Sequence, residues 1–170
     1  MKDFPSRYAI DANILIDIHF GRILHEMFQL PIVFFTTDFV IAELKNPPAE
    51  LLLNLGLKRE ELGGDLIAEI SFVKSRHKEL SVSDVSVFIL ARHRKIALLT
   101  GDDGLRTLGE SSGLEVHGTL WLLDCMIDRK IIEMSRATIS LEIMLAHGSR
   151  LPQKECEQRF MKWKRDLKRE

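Results

Sequence analysis

Four carboxylates fall where the surrounding pattern makes an acid either costly or chemically useful. Asp11 directly follows the apolar run Tyr8-Ala9-Ile10, and Asp102 lies just past Ile96-Ala97-Leu98-Leu99-Thr100. Both positions read as carboxyl ends of buried strands, the rim at which parallel sheets build their sites. Glu43 interrupts Phe39-Val40-Ile41-Ala42-Glu43-Leu44. Its offsets from Phe39 and Val40 place it on an apolar helix face, where a carboxylate is costly unless a cation meets it. Asp84 stands in the first turn of Ser83-Asp84-Val85-Ser86-Val87-Phe88-Ile89-Leu90-Ala91, an otherwise apolar helical stretch.

Each acid also has a purely structural role open to it. Asp11 suits an N-cap, and Asp102 or Asp103 suits the cap of a following helix. Asp84 lies three residues after Ser81, the spacing of a capping box. Glu43 suits a pair with a buried Arg or Lys. Taken together the acids suggest more. Two carboxylates about 5 Å apart repel by roughly 3 kcal/mol at an effective dielectric near 20, so several in one cleft call for a cation. An all-oxygen donor set completed by water suits Mg²⁺ or Mn²⁺. The six histidines and two cysteines show no spacing that favours zinc.

These acids need a frame. The pattern predicts a strand over residues 7–11, leading into a helix through Ile14, Leu15 and Ile18. A helix over 22–30 stops before Pro31, and Ile32-Val33-Phe34-Phe35 reads as a buried strand. Thr36, Thr37 and Asp38 offer caps for a helix over 39–45, which Asn46-Pro47-Pro48 breaks. Further helices are predicted over 64–77, 81–94 and 105–110, with strands over 96–99 and 114–117. Short buried strands alternating with helices predict an α/β protein with a mainly parallel sheet. Beyond it, helices over 135–147 and 152–168 form a C-terminal helical extension, the second of them with Cys156, Phe160, Trp163 and Leu167 on one face. The chain thus reads as residues 1–132 plus an extension over 133–170.

Composition narrows the function. Among 170 residues, 24 Lys and Arg face 25 Asp and Glu, for a net charge of −1. A globally basic nucleic-acid binder is excluded, so any phosphate-binding surface is local or is made positive by a bound cation. With 45% hydrophobic and 29% charged residues the chain is neither a disordered tail nor a collagen-like repeat. Cys125 and Cys156 read as free thiols. The uncharged stretch from Met27 to Thr37 is too short to span a bilayer, and Met1-Lys2-Asp3-Phe4-Pro5 lacks the apolar core of a signal peptide. The expectation is a cytoplasmic protein with no membrane partner. No Gly-rich loop of a phosphate-cradling type is present.

Tyr8-Ala9-Ile10-Asp11-Ala12-Asn13-Ile14-Leu15-Ile16, then Phe39-Val40-Ile41-Ala42-Glu43-Leu44, resemble the opening of PIN-domain nucleases. Leu80-Ser81-Val82-Ser83-Asp84 with Leu90-Ala91, then Ala97-Leu98-Leu99-Thr100-Gly101-Asp102-Asp103-Gly104-Leu105-Arg106, resemble the third and fourth motifs of that family. Glu115-Val116-His117-Gly118-Thr119-Leu120-Trp121-Leu122-Leu123 resembles its close. The resemblance implies a PIN-like fold, with a central sheet of four or five parallel strands between helices. It also implies an Mg²⁺- or Mn²⁺-dependent ribonuclease, often a VapC-like toxin of a toxin–antitoxin pair, with an antitoxin partner and pairing into a homodimer. On that pattern Asp11, Glu43, Asp84 and Asp102 are the catalytic, metal-binding quartet. Asn13 and Thr100 match supporting polar positions, and Asp103 an auxiliary acid. The stretch between Glu43 and Asp84 is longer than in the smallest such toxins, and the extension has no counterpart in the minimal domain.

A bound divalent ion would orient and acidify a water for in-line attack on RNA, and neutralise the phosphate oxygens. Arg92, Arg94, Lys95 and Arg106 border the acids in sequence and are candidates to hold the substrate backbone. Their alternative is a solvated helix end, favoured by the helix dipole. Two other functions compete with the nuclease. One is a non-catalytic module on the same scaffold that binds nucleic acid or protein. The other is a phosphatase or phospho-acceptor domain built on Asp11, weakened because Asp11-Ala12-Asn13 lacks a second acid two residues on.

Overall fold

The structure, a computed structural model, describes residues 5–166. In chain order the elements are β1 (Arg7–Ile10), α1 (Ala12–Phe20), α2 (Leu24–Met27), β2 (Val33–Thr37), α3 (Asp38–Glu43), α4 (Ala49–Leu55), β3 (Lys58–Glu60) and α5 (Asp65–Arg76). They continue as α6 (Val82–Arg94), β4 (Ala97–Leu99), α7 (Asp103–Ser111), β5 (Val116–His117), α8 (Thr119–Asp128), α9 (Met134–Ala146) and α10 (Gln153–Asp166).

The five strands form one parallel sheet in the order β3-β2-β1-β4-β5. β1 is central, with Tyr8 opposite Phe34 on one side and Ala97 on the other. Tyr8, Ala9 and Ile10 are fully buried, as are Leu98 and Leu99. Helices cover both faces of a parallel sheet, so its inner strands read as unbroken apolar runs, as these do. β3 is the opposite case. Its Lys58-Arg59-Glu60 is an edge strand, and charge there blocks pairing with another chain.

Chain order sets where a site can form. From β1 the chain moves outward through β2 and β3, then returns to the other side of β1 to lay down β4 and β5. The switch point therefore lies between β1 and β4, at their carboxyl ends. α6 packs against β1, β2 and β4 as well as α3, α5 and α7. Every residue from Val85 to Ala91 is buried, so this helix is apolar all round because it is enclosed all round.

The second half of the chain covers α1. α9 packs on α1 and α8, and α10 packs on α9. Cys156 and Trp163 are buried and Phe160 is half-buried, as the predicted stripe requires. Leu167, Lys168 and Arg169 lie outside the described residues. Arg159 ties α10 to α8 through Asp124, at 2.7 and 3.0 Å. Among the described residues no helix is long and apolar enough to cross a membrane.

Candidate metal centre

Two strand ends and the start of α6 build the candidate site. Asp11 caps α1, its Oδ1 accepting the Ile14 N–H at 2.9 Å. Its Oδ2 accepts the Thr100 hydroxyl and the Gly101 N–H, the latter at 3.2 Å. The Asp11 N–H in turn donates to the Leu99 carbonyl at 3.1 Å. One carboxylate thus bridges β1 and β4 across the switch point. Burial pushes its pKa up to about 7; the hydrogen bonds from Thr100, Ile14 and Gly101 oppose this, and the charge of Asp84 adds to it.

Asp102 is held by the same hydroxyl. Its N–H donates to Thr100 Oγ1 at 3.0 Å, and its Oδ1 caps α7 by accepting the Leu105 N–H at 2.8 Å. Asp84 and Ser81 form a full capping box at the start of α6, with reciprocal bonds of 2.9 and 3.0 Å. All three aspartates therefore fill the capping roles that their spacing allowed. Asp84 and Asp102 do so with one carboxylate oxygen each. Asp84 Oδ1 and Asp102 Oδ2 accept no hydrogen bond among the described residues.

A line of buried hydroxyls fixes the start of α6 against the sheet. Thr37 caps α3, accepting the Val40 N–H at 3.2 Å, and its hydroxyl donates to Ser86 Oγ at 2.7 Å. Ser86 donates onward to the Ser83 carbonyl at 2.7 Å, and Ser83 donates to the Phe39 carbonyl at 3.4 Å. Thr36 donates to the Ile10 carbonyl at 2.9 Å. These bonds bring the first turns of α3 and α6 together beside the end of β1. Sequence reasoning took Thr36 and Thr37 only as caps and passed over Ser83 and Ser86, because small hydroxyls in apolar stretches carry no distinctive pattern.

Glu43 stands elsewhere on the burial scale than its spacing suggested. It is the last residue of α3, exposed, with no hydrogen bond or ion pair among the described residues. The buried ion pair open to it is not formed. The physical reason is the helix end: Leu44 is extended, so the apolar face stops before it can enclose Glu43. Glu43 lies one turn beyond Phe39, whose carbonyl accepts the Ser83 hydroxyl of α6.

The supporting residues divide. Asn13 is exposed beside Gly101, where an added Cβ would meet the Asn13 Cβ at 3.4 Å. Asp103 is exposed in the first turn of α7. Arg106 lies at the rim, its guanidinium donating to the Thr100 and Val116 carbonyls at 3.4 and 3.5 Å. Gly118 leaves it room, since a Cβ there would stand 2.9 Å from Nη2. Arg92, Arg94 and Lys95 are not brought to the acids. They occupy the far end of α6, a helix of 13 residues, about 20 Å from its start. Arg92 pairs with Glu69, Arg94 with Glu60, and Lys95 closes the helix at φ 53°. Neighbours in sequence became opposite ends in space because a helix separates them.

Asp17 was passed over altogether. It is buried, accepting the Thr119 hydroxyl at 3.0 Å and the Ser149 hydroxyl at 2.6 Å. Burial raises its pKa, and the two hydroxyls partly offset that. The signal was present: Ile14-Leu15-Ile16-Asp17-Ile18 is an acid among apolar neighbours, the criterion that singled out Glu43.

Among the described residues no three His, Cys, Asp or Glu side chains stand close enough to hold an ion by themselves. The donor chemistry still suits Mg²⁺, which keeps several waters and takes only one or two carboxylates from a protein. Asp11 and Asp84 would supply such a pair: burial is the main cause of the raised Asp11 pKa, and the smaller contribution from the Asp84 charge is one that a cation would remove.

A parallel five-stranded sheet between helix layers, with Asp11 and Asp102 joined through Thr100 at its switch point, defines an α/β protein. The family model DUF3368, described as a PIN domain, matches residues 7–165. The chain belongs to this PIN-domain family, and its fold is a nuclease fold. No curated protein matches the chain.

Proposed function

We propose that this protein is an endoribonuclease that hydrolyses RNA phosphodiester bonds with Mg²⁺ or Mn²⁺. Asp11, Asp84 and Asp102 would hold the ion, with Glu43 reaching it from the end of α3. One observation carries this reading: a buried carboxylate bridging the two strands of the switch point, its pKa raised toward neutrality by burial and by a second acid. A perturbed carboxylate at the carboxyl ends of two strands is a candidate functional group on physical grounds.

The ion, when bound, supplies Lewis acidity and an activated water for phosphodiester hydrolysis. The chain's own residues do the rest. Thr100 and Gly101 fix the Asp11 carboxylate in one orientation, and Thr100 passes that constraint to Asp102. The Thr37–Ser86–Ser83 bonds hold Asp84 at the same rim. Preorganised groups of this kind need no rearrangement during the reaction.

The purified protein should cleave single-stranded RNA with Mg²⁺ or Mn²⁺, and EDTA should stop it. Asp11→Asn and Asp102→Asn should each lower the rate by a factor on the order of 100 or more while the far-ultraviolet circular dichroism stays unchanged. Cleavage persisting in both variants would overturn the reading. The non-catalytic module keeps one observation in its favour: the three aspartates serve as helix caps, and among the described residues no three acids converge. It predicts nucleic-acid binding without cleavage under any divalent ion.

A further inference from the structure

We propose that Arg150, in the loop between α9 and α10, binds a phosphate of the nucleic-acid strand entering the acidic rim, and that Asp17 and Ser149 position it there. The inference rests on the nuclease reading and adds a residue to it.

The rim carries Asp11, Asp84, Asp102 and Asp103, so a polyanion needs a cation of the protein's own beside it. Most neighbouring cations are engaged. Arg106 is bound to two carbonyls and lies 3.7 Å from Glu110. Arg159 is bound to Asp124 at 2.7 Å and lies 3.5 Å from Glu155. Arg150 is exposed and makes no hydrogen bond or ion pair among the described residues. It also stands where a strand must pass. A cleft of about 260 Å³ holds Arg150 with Asn13, Gly101 and Asp102 in its lining. A second, of about 710 Å³, holds Arg150 with Thr100, Gly101 and Trp121. Arg150 and Gly101 are thus common to the two clefts that meet at the acids.

The loop is placed by design of its contacts. Gly148 turns the chain out of α9 at φ +86°, a conformation that favours glycine. Ser149 then donates through its N–H to the Met144 carbonyl at 3.1 Å and through its hydroxyl to Asp17 Oδ1 at 2.6 Å. Asp17 Oδ2 takes the Thr119 hydroxyl at 3.0 Å. A buried carboxylate with both oxygens used ties the loop to α8 and to α1, the helix that Asp11 caps. Arg150 follows directly, its planar fork free for phosphate oxygens.

The test uses the 170-residue Asp11→Asn chain, which should not degrade RNA, and a fluorescein-labelled single-stranded oligoribonucleotide of mixed sequence. Binding is read by anisotropy across a salt series. Adding Arg150→Gln should weaken binding several-fold and lower the log–log salt slope by about 0.7, the loss of one phosphate contact on a single strand. Arg150→Lys should keep the slope. Ser149→Ala should weaken binding and lower Tm, Ser149→Thr should restore both, and the Ser149→Ala/Arg150→Gln pair should bind no more weakly than Arg150→Gln alone, which a loss of stability by itself would not produce. An Arg150→Gln slope and affinity equal to the parent's, while unmodified protein cleaves RNA, would overturn this inference and leave the nuclease standing. A parent that binds no RNA, together with unmodified protein that cleaves none, would overturn both.

Discussion

Asp11 performs a structural task, and the proposed function gives it a chemical one. Its cap and its bridge to β4 hold it in place, and burial raises its pKa from 3.8 to about 7. The sign of the resulting pH effect follows. Between about pH 4 and pH 7 the native state holds a proton on Asp11 that the unfolded state has lost, so in EDTA stability should fall as pH rises through this window. The full effect is up to about 4 kcal/mol, at 1.36 kcal/mol per pKa unit. Asp11→Asn should flatten that slope, and denaturant unfolding measured at several pH values checks it. A slope unchanged in the variant would show that another group titrates. At this scale the sequence was informative where type and spacing coincide with a strand end or a helix start. Asp11, Asp84 and Asp102 meet that condition. Only the surroundings of Glu43 differ from what its spacing suggested, since its exposure depends on where α3 stops. Arg150 was not legible, since it has no pattern at all and acquires meaning only from the clefts beside it.

Elements carry the aspartates to one another. Asp84 sits at the rim because α6 is threaded through the centre of the molecule and pinned at its start by Thr37 and Ser86. Thr37→Val should remove the hydroxyl that donates to Ser86 Oγ, leaving Ser86 only its bond to the Ser83 carbonyl, and remove the cap of α3. The expected cost is about 1–3 kcal/mol in unfolding free energy, with a weaker affinity for Mn²⁺. Chemical denaturation and a Mn²⁺ titration of the same variant check both; unchanged Mn²⁺ affinity would mean that the hydroxyls serve stability alone. The central strands and α6 were legible because burial writes continuous apolar runs. α4, β3 and α8 were not read as elements. β3 is an edge whose charged residues carry no period of two, and α4 and α8 follow a proline pair and a glycine without a side-chain cap. The misplacement of Arg92, Arg94 and Lys95 belongs here too, since closeness in sequence across a helix means separation in space.

The molecule as a whole joins the sheet to a helical cover that continues to the end of the described chain. The family match runs through α9 and α10, and those helices carry the loop that borders the acidic rim. Trp163 is the largest side chain holding α10 down, at 1% exposed. Trp163→Ala should cost about 3–5 kcal/mol of stability, seen as a lower denaturant midpoint; a loss below about 1 kcal/mol would show that α10 is held by its ion pairs instead. With a net charge of −1 the molecule has no general attraction for RNA, so the account depends on a cation held at one place. Electron paramagnetic resonance of Mn²⁺ titrated into the protein measures that directly. The account predicts bound Mn²⁺ in the unmodified chain, and at least a tenfold loss of affinity in each of Asp11→Asn, Asp84→Asn and Asp102→Asn with the fold retained. Mn²⁺ that stays free at millimolar concentration, or binds equally well when all three aspartates are replaced, would contradict it.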